Sequence, residues 1–180
     1  MNMPASGNEL RDQDEQAGRE DVVLQVSDLR MYLHTRWGVT KAVDGVTFDL
    51  RAGETLGIVG ESGSGKSMLA LSLVRLTPEP ASRFEGGSVL LDGVDLVGLS
   101  DRKMRKIRGK KISMILQDPQ QSLNPVFTVG NQLGEAITIH GGAKTKHEVR
   151  ERATEALREV HVPEPERRLK NYPHEMSGGM

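Results

Sequence analysis

At 180 residues, with 36% hydrophobic and 27% charged side chains, the chain is long enough for one well-cored domain and too apolar to be a disordered polymer. A formal net charge of -1 provides no long-range field to gather nucleic acid, so no nucleic-acid partner is expected. The absence of cysteine excludes a disulfide framework and any thiolate zinc site, and no stretch approaches the roughly 18 apolar residues that a bilayer-spanning helix requires.

Residues 1–20 are polar and acidic-leaning, lack the basic start and apolar run of a secretory leader, and are expected to form a disordered tail. Short β-branched runs at 22–26 and 42–50 read as early strands, with Gly38 and Asp44-Gly45 supplying turn chemistry. Residues 55–59, Thr-Leu-Gly-Ile-Val, form a nearly continuous apolar run, the pattern of a strand buried on both faces of a parallel sheet. This run leads straight into glycines. Met68, Leu69, Leu71, Leu73, Val74 and Leu76 then predict a buried helix stopped by Pro78.

Residues 87–96 predict a hairpin, because Asp92-Gly93 suits a two-residue turn with positive φ. Ser100 is placed to cap a short helix reaching Ile107. The basic block of Arg102, Lys103, Arg105, Lys106, Arg108, Lys110 and Lys111 reads as a solvated helix face, and 111–116 as another strand. Beyond residue 128 helices dominate. In the clearest, 146–160, Thr145 and Glu148 form a capping-box pair while Val149, Ala153, Ala156, Leu157 and Val160 line one face. The expected organisation is therefore a tail (1–20), an α/β core (21–127) and a helical subdomain (128–180).

Gly60, Glu61, Ser62, Gly63, Ser64, Gly65, Lys66 and Ser67 match the pattern G-x-x-x-x-G-K-[ST] between a predicted buried strand and an apolar helix. Glycines let the backbone curl until successive N–H groups point inward, and the helix N-terminus adds about half a positive charge. The natural occupant is an anion of triphosphate size. Lys66 is expected to reach its β- and γ-phosphates, and the Ser67 hydroxyl to coordinate a Mg²⁺ bridging them. Kinases, GTPases and motor ATPases share such a loop, so other residues must discriminate among them.

Two further markers do so. Met176-Ser177-Gly178-Gly179-Met180 resembles the signature motif of ABC transporter ATPases, with Met at both flanks where the family usually has Leu and Gln. Gln117-Asp118-Pro119, at the end of a predicted strand, resembles the Q-loop of the same family. Within that family, Ala42-Val43-Asp44-Gly45-Val46, the run from Gln121 to Pro125 followed by Thr128-Val129-Gly130, and Tyr172-Pro173-His174-Glu175 are similar to the oligopeptide, dipeptide and nickel importer branch. The similarity extends from about residue 22 to residue 180.

The resemblance implies a P-loop NTPase fold, an ABC-type nucleotide-binding domain made of a β-subdomain, a mixed α/β core and a helical subdomain. It implies ATP and Mg²⁺ as ligands, Lys66 and Gln117 as residues acting on the phosphates, metal and attacking water, and an aromatic residue stacking on adenine, with Trp37 the first choice and Tyr32 the second. It also implies a head-to-tail pair of ATPase domains, in which Ser177, Gly178 and Gly179 serve a nucleotide held mainly by the partner domain. Membrane-spanning permease subunits and, indirectly, an extracytoplasmic substrate-binding protein complete the implied assembly. The location implied is peripheral, on the cytoplasmic face of the inner membrane. The cargo, peptide or nickel, is not written in an ATPase subunit.

In the family a strand ending in Asp-Glu and then a switch His follow the signature, and neither has a position in these 180 residues. The fold is thus expected to be incomplete at its C-terminus, and the chain alone to bind ATP with little turnover. The competing expectations are a non-catalytic nucleotide-binding or interaction protein, a non-transport ABC ATPase, and a simple P-loop kinase. His34, His140, His147, His161 and His174 lack metal-ligand spacing and receive no role.

Overall fold

The computed structural model describes residues 21–117 and 122–180, so the expected tail, and Asp118, Pro119 and Gln121 of the expected motifs, lie outside the described residues. The chain divides into two compact units, Met1–Arg105 and Lys106–Met180.

The first unit is built on a sheet of order β2-β1-β3-β4 with every pairing antiparallel. Strands β1 (Val22–Thr35) and β2 (Gly38–Arg51) are longer than the sequence predicts and pair from Thr35 opposite Gly38 to Val22 opposite Arg51. The buried apolar residues of β1 are Leu24 and Val26, then Leu29 and Met31, a change of phase that hides the second half of the strand from a period-two reading. Asp28 causes it. At φ 46 this residue forms a bulge, its N–H bonded to Thr47 Oγ1 at 2.9 Å, and the slip returns both halves to the same buried face. Asp44-Gly45 likewise lies inside β2, with Gly45 at φ 76 where the register slips.

Strands β3 (Ser82–Leu91) and β4 (Val94–Asp95) form the expected hairpin, and Asp92 and Gly93, at φ 47 and 75, supply the two left-handed residues of its turn. Helix α1 (Lys66–Leu73) ends earlier than Pro78 would impose. Arg75 adopts φ 51, and the Leu76 N–H closes onto Leu71 O at 2.9 Å. The guanidinium of Arg75 then bonds Leu96 O, Leu99 O and Asp101, so tertiary anchoring chose the stop. Leu69, Ser72 and Val74 are buried, whereas Leu76 is exposed. Helix α2 (Asp101–Ile107) starts directly after Ser100 and buries Met104, while Arg102, Lys103, Arg105 and Lys106 face solvent.

The expected strands at 55–59 and 111–116 are corrected: neither joins a ladder, and Val59 and Ile115 are 93% and 91% exposed. A central parallel strand exists only between neighbours that accept from its N–H groups and donate to its C=O groups, and no partner strand for either segment occurs among the described residues. The α/β class stands, carried here by an antiparallel sheet with helices.

In the second unit, α3 (Val129–Ile139), α4 (Lys146–Glu159) and α5 (Pro165–Arg168) enclose Ala153, Leu157, Val162 and Leu169, with Val129, Leu133, Ile137 and Met176 packed against them. Val160, expected on the buried face of α4, is exposed, because His161 turns left-handed at φ 59 and brings Val162 into the core instead. The predicted capping box is present. Thr145 Oγ1 accepts the Glu148 N–H at 3.2 Å, and Glu148 Oε2 accepts the N–H groups of Lys144 and Thr145 at 2.7 and 3.3 Å.

Those N–H groups hold the Glu148 carboxyl below its ordinary value, first through Lys144 and then through Thr145. A depressed carboxylate contributes stability above the unfolded pKa, and that contribution is lost as pH falls through the lower folded value. The stability advantage over Glu148→Gln is therefore expected to be constant at neutral pH and to shrink on acidification below about pH 4.5. Thr145→Ala is expected to cost about 1 kcal/mol in the urea unfolding of this unit.

Candidate functional site

The phosphate-binding candidate begins where the chain leaves residues 55–59 and ends in the first turn of α1. Gly63 and Gly65 lie at φ 82 and 92, backbone that side chains other than glycine rarely adopt. A Cβ on Gly65 would sit 2.4 Å from the carbonyl oxygen of Ala42 in β2, so the absent side chain lets the loop rest on the sheet. A Cβ on Gly60 would sit 2.7 Å from Ser64 Oγ. Gly65 caps α1 without a side-chain acceptor, which leaves the first N–H groups of the helix directed into the loop.

Lys66 Nζ donates to Gly60 O at 2.8 Å, Glu61 O at 2.7 Å and, more weakly, Ser64 Oγ at 3.4 Å. The ammonium is thereby held across the mouth of the loop. Ser67 presents an exposed hydroxyl on the first helical turn, beside exposed Glu61, Ser62 and Ser64. A glycine-shaped cradle, helix N–H donors and one fixed cation fit a polyphosphate. No group of three or more His, Cys, Asp or Glu able to hold a metal occurs among the described residues.

The two aromatic candidates occupy different settings in the same sheet. Tyr32 pairs with Lys41, the neighbour of the Ala42 that Gly65 abuts. Its hydroxyl donates to Asp44 Oδ1 at 2.6 Å, Lys41 Nζ reaches Asp44 Oδ2 at 3.3 Å, and the same ammonium lies 5.4 Å from the ring centroid. These bonds keep the Asp44 carboxyl ionised, the Tyr32 hydrogen bond first, and push the Tyr32 hydroxyl pKa up. Trp37 stands at the β1–β2 tip, 81% exposed, with its backbone N–H donating to Thr35 Oγ1 at 3.2 Å. The Arg36 guanidinium covers its ring at 3.9 Å, a cation–π contact that the sequence signals only by adjacency.

The remaining candidates belong to the second unit. Gln117 is exposed at the end of the irregular 113–117 segment. Ser177, Gly178 and Gly179 are exposed and form a turn closed by the Met180 N–H on Ser177 O at 2.9 Å. Ahead of them a short 3₁₀ turn, Pro173–Glu175, is fixed by the Tyr172 N–H on Glu175 Oε2 at 2.8 Å, and Met176 packs on the helical core. The loop Lys66 belongs to one unit and Gln117 with the Ser-Gly-Gly turn to the other.

A glycine-rich loop leading into a helix, an exposed Gln after an apolar segment and a Ser-Gly-Gly turn in the helical unit are the features expected of an ATP-binding cassette. Residues 43–180 match the family described as ABC transporter, and the chain belongs to it. Over 162 residues it is 51% identical to the probable peptide ABC transporter ATP-binding protein y4tR of Sinorhizobium fredii, covering 90% of this chain and 48% of that protein. The oligopeptide transport ATP-binding protein OppD of Bacillus subtilis is 46% identical over 158 residues, 88% of this chain and 44% of that protein. Among solved structures, dimeric MJ0796, a bacterial ABC transporter cassette, matches with a TM-score of 0.73 at 27% identity over 87% of this chain and 64% of that one. The same cassette bound to ADP and Pi matches with an equal score. The chain spans about half the length of the curated relatives it matches.

Proposed function

We propose that this chain is the ATP-binding part of a peptide importer, coupling ATP binding and hydrolysis to transport from the cytoplasmic face of the inner membrane. The observation that carries the reading is the preformed loop of residues 60–67, whose Gly65 rests on Ala42 of β2 and whose Lys66 bonds back to Gly60 O and Glu61 O. The peptide branch is supported by relatives named for peptide and oligopeptide transport at 46–51% identity. Nickel as cargo is the alternative within the branch.

In this reading residues 21–127 form the nucleotide core and 128–180 the helical subdomain. Backbone N–H groups of the loop and Lys66 bind the phosphates and stabilise charge developing on the γ-phosphoryl oxygens. Mg²⁺, held by Ser67 and assisted by Gln117, would neutralise the same oxygens. Gln117 orients the attacking water through its paired donor and acceptor. Ser177, Gly178 and Gly179 face the nucleotide of a second ATPase domain, head to tail, while permease subunits receive the motion and an extracytoplasmic binding protein delivers cargo.

Trp37 is the sole tryptophan, so adenine stacking has a private optical signal. Titration with Mg²⁺ and ATP is expected to quench and shift its emission saturably, and inorganic triphosphate to bind without that change. If ATP binds with Trp37 silent, Tyr32 is the base platform. A second reading, a nucleotide binder without turnover, is favoured by segments 55–59 and 111–116, which join no strand ladder among the described residues. Phosphate release under saturating ATP decides between the two.

A further inference from the structure

The turn that follows the Gln117 region, Asn124-Pro125-Val126-Phe127, is held from both sides. Its own Phe127 N–H returns to Asn124 O at 3.3 Å, and the Val126 N–H bonds Asn124 Oδ1 at 3.1 Å. The single side chain of Gln132, on the first turn of α3, adds three more bonds. Its Oε1 accepts the Asn124 N–H at 2.9 Å, and its Nε2 donates to Asn124 O and Phe127 O, both at 3.0 Å.

The same helical turn is tied on its other side to a distant part of the sequence. Two N–H groups that α3 cannot satisfy internally bond the chain that leads to the Ser-Gly-Gly turn: Val129 to Asn171 O at 2.9 Å and Gly130 to Leu169 O at 2.8 Å. A Cβ on Gly130 would lie 2.6 Å from Leu169 O, so the close approach requires glycine there. From Asn171 the path continues through Tyr172, fixed by Glu175, and Met176, seated on the core, to Ser177.

We infer that the first turn of α3, with Gln132 on one side and Gly130 on the other, is a joint that moves the Asn124–Phe127 turn and the Ser177–Gly179 turn as one piece. Gln132 and Gly130 are positioning residues in this scheme; neither touches nucleotide. Five hydrogen bonds concentrated on one helical turn leave little slack, and displacement of either flanking turn is passed on rather than absorbed. The functional importance of the two turns rests on the ATPase reading above, whereas the joint itself rests only on these bonds.

Amide hydrogen exchange on the full chain, unchanged and as Gln132→Ala, tests it. The expected result is exchange at least about tenfold faster at Asn124 and several-fold faster at Gly130, Val129 and Met180, with the Ala153 and Leu157 amides of α4 unchanged. Acceleration confined to Asn124, or no change, overturns the joint and leaves Gln132 a local clamp at most. Gly130→Ala approaches from the other side and is expected to loosen Asn124 as well; if it does not fold, Gln132→Ala alone decides. In the assembled transporter, Gln132→Ala is expected to lower transport per ATP hydrolysed several-fold with ATP affinity unchanged. An unaltered ratio also overturns the inference, while an unchanged chain that drives no transport would remove the importer reading and leave the exchange result standing.

Discussion

Lys66→Ala is expected to weaken ATP binding roughly 10- to 150-fold, the largest functional effect of any single substitution in the chain. Hydrogen bonds to a charged group are worth about 1.5–3 kcal/mol, and each 1.4 kcal/mol is a factor of ten. The ammonium is already desolvated in part by the Gly60 and Glu61 carbonyls, so exchanging these neutral acceptors for anionic phosphate oxygens strengthens every bond it makes. Arginine should not rescue the site, because its planar fork cannot replace a point charge held between two carbonyls 2.7–2.8 Å away. Isothermal titration with Mg²⁺ and ATP measures the change, and urea unfolding confirms that the fold survives. Affinity within twofold of the unchanged chain would sink the phosphate assignment.

Gly65→Ala is the substitution expected to cost most at the loop itself. Left-handed backbone at φ 92 costs an alanine about 1–2 kcal/mol, and the new Cβ meets the Ala42 carbonyl at 2.4 Å. That oxygen belongs to Ala42, the extra residue of β2 between the Tyr32–Lys41 and Met31–Val43 pairs, so its retreat would shift backbone held by those pairs on both sides. The first unit is expected to lose about 2–4 kcal/mol, and the loop to lose its phosphate geometry. Gly53→Ala is the matched control, since Gly53 has a similar φ of 74 with open space where its Cβ would stand. It should cost only about 1 kcal/mol and leave ATP binding intact. Equal urea midpoints for the two variants would show that Gly65 is chosen for φ alone and that the approach to Ala42 has slack.

The features legible in the residues are those settled within a few positions. Asp92-Gly93 predicts its hairpin because both residues tolerate left-handed backbone, and the structure places both there. Thr145 and Glu148 predict a capping box because the three-residue spacing alone brings each side chain to the other's N–H. The loop of residues 60–67 is readable for the same reason: left-handed Gly63 and Gly65 and the Lys66 bonds to Gly60 O and Glu61 O are settled within contiguous backbone. Gln132 carries no sequence signal, because a Gln inside a helix has no pattern; only the fold brings it back to Asn124 and Phe127.

Local chemistry written in the sequence therefore determined the Asp92-Gly93 turn, the Thr145 cap, the glycine-rich loop of residues 60–67 and membership of the family. Tertiary structure decided how far each element runs and which residues meet. The bulge at Asp28 restored the buried face of β1 across a break in alternation, Arg75 ended α1 by bonding Leu96, Leu99 and Asp101, and His161 put Val162 in the core in place of Val160. The runs at 55–59 and 111–116 carry strand-like composition without strand structure. A ladder's hydrogen bonds belong to two segments at once, and no segment can supply its partner from its own residues.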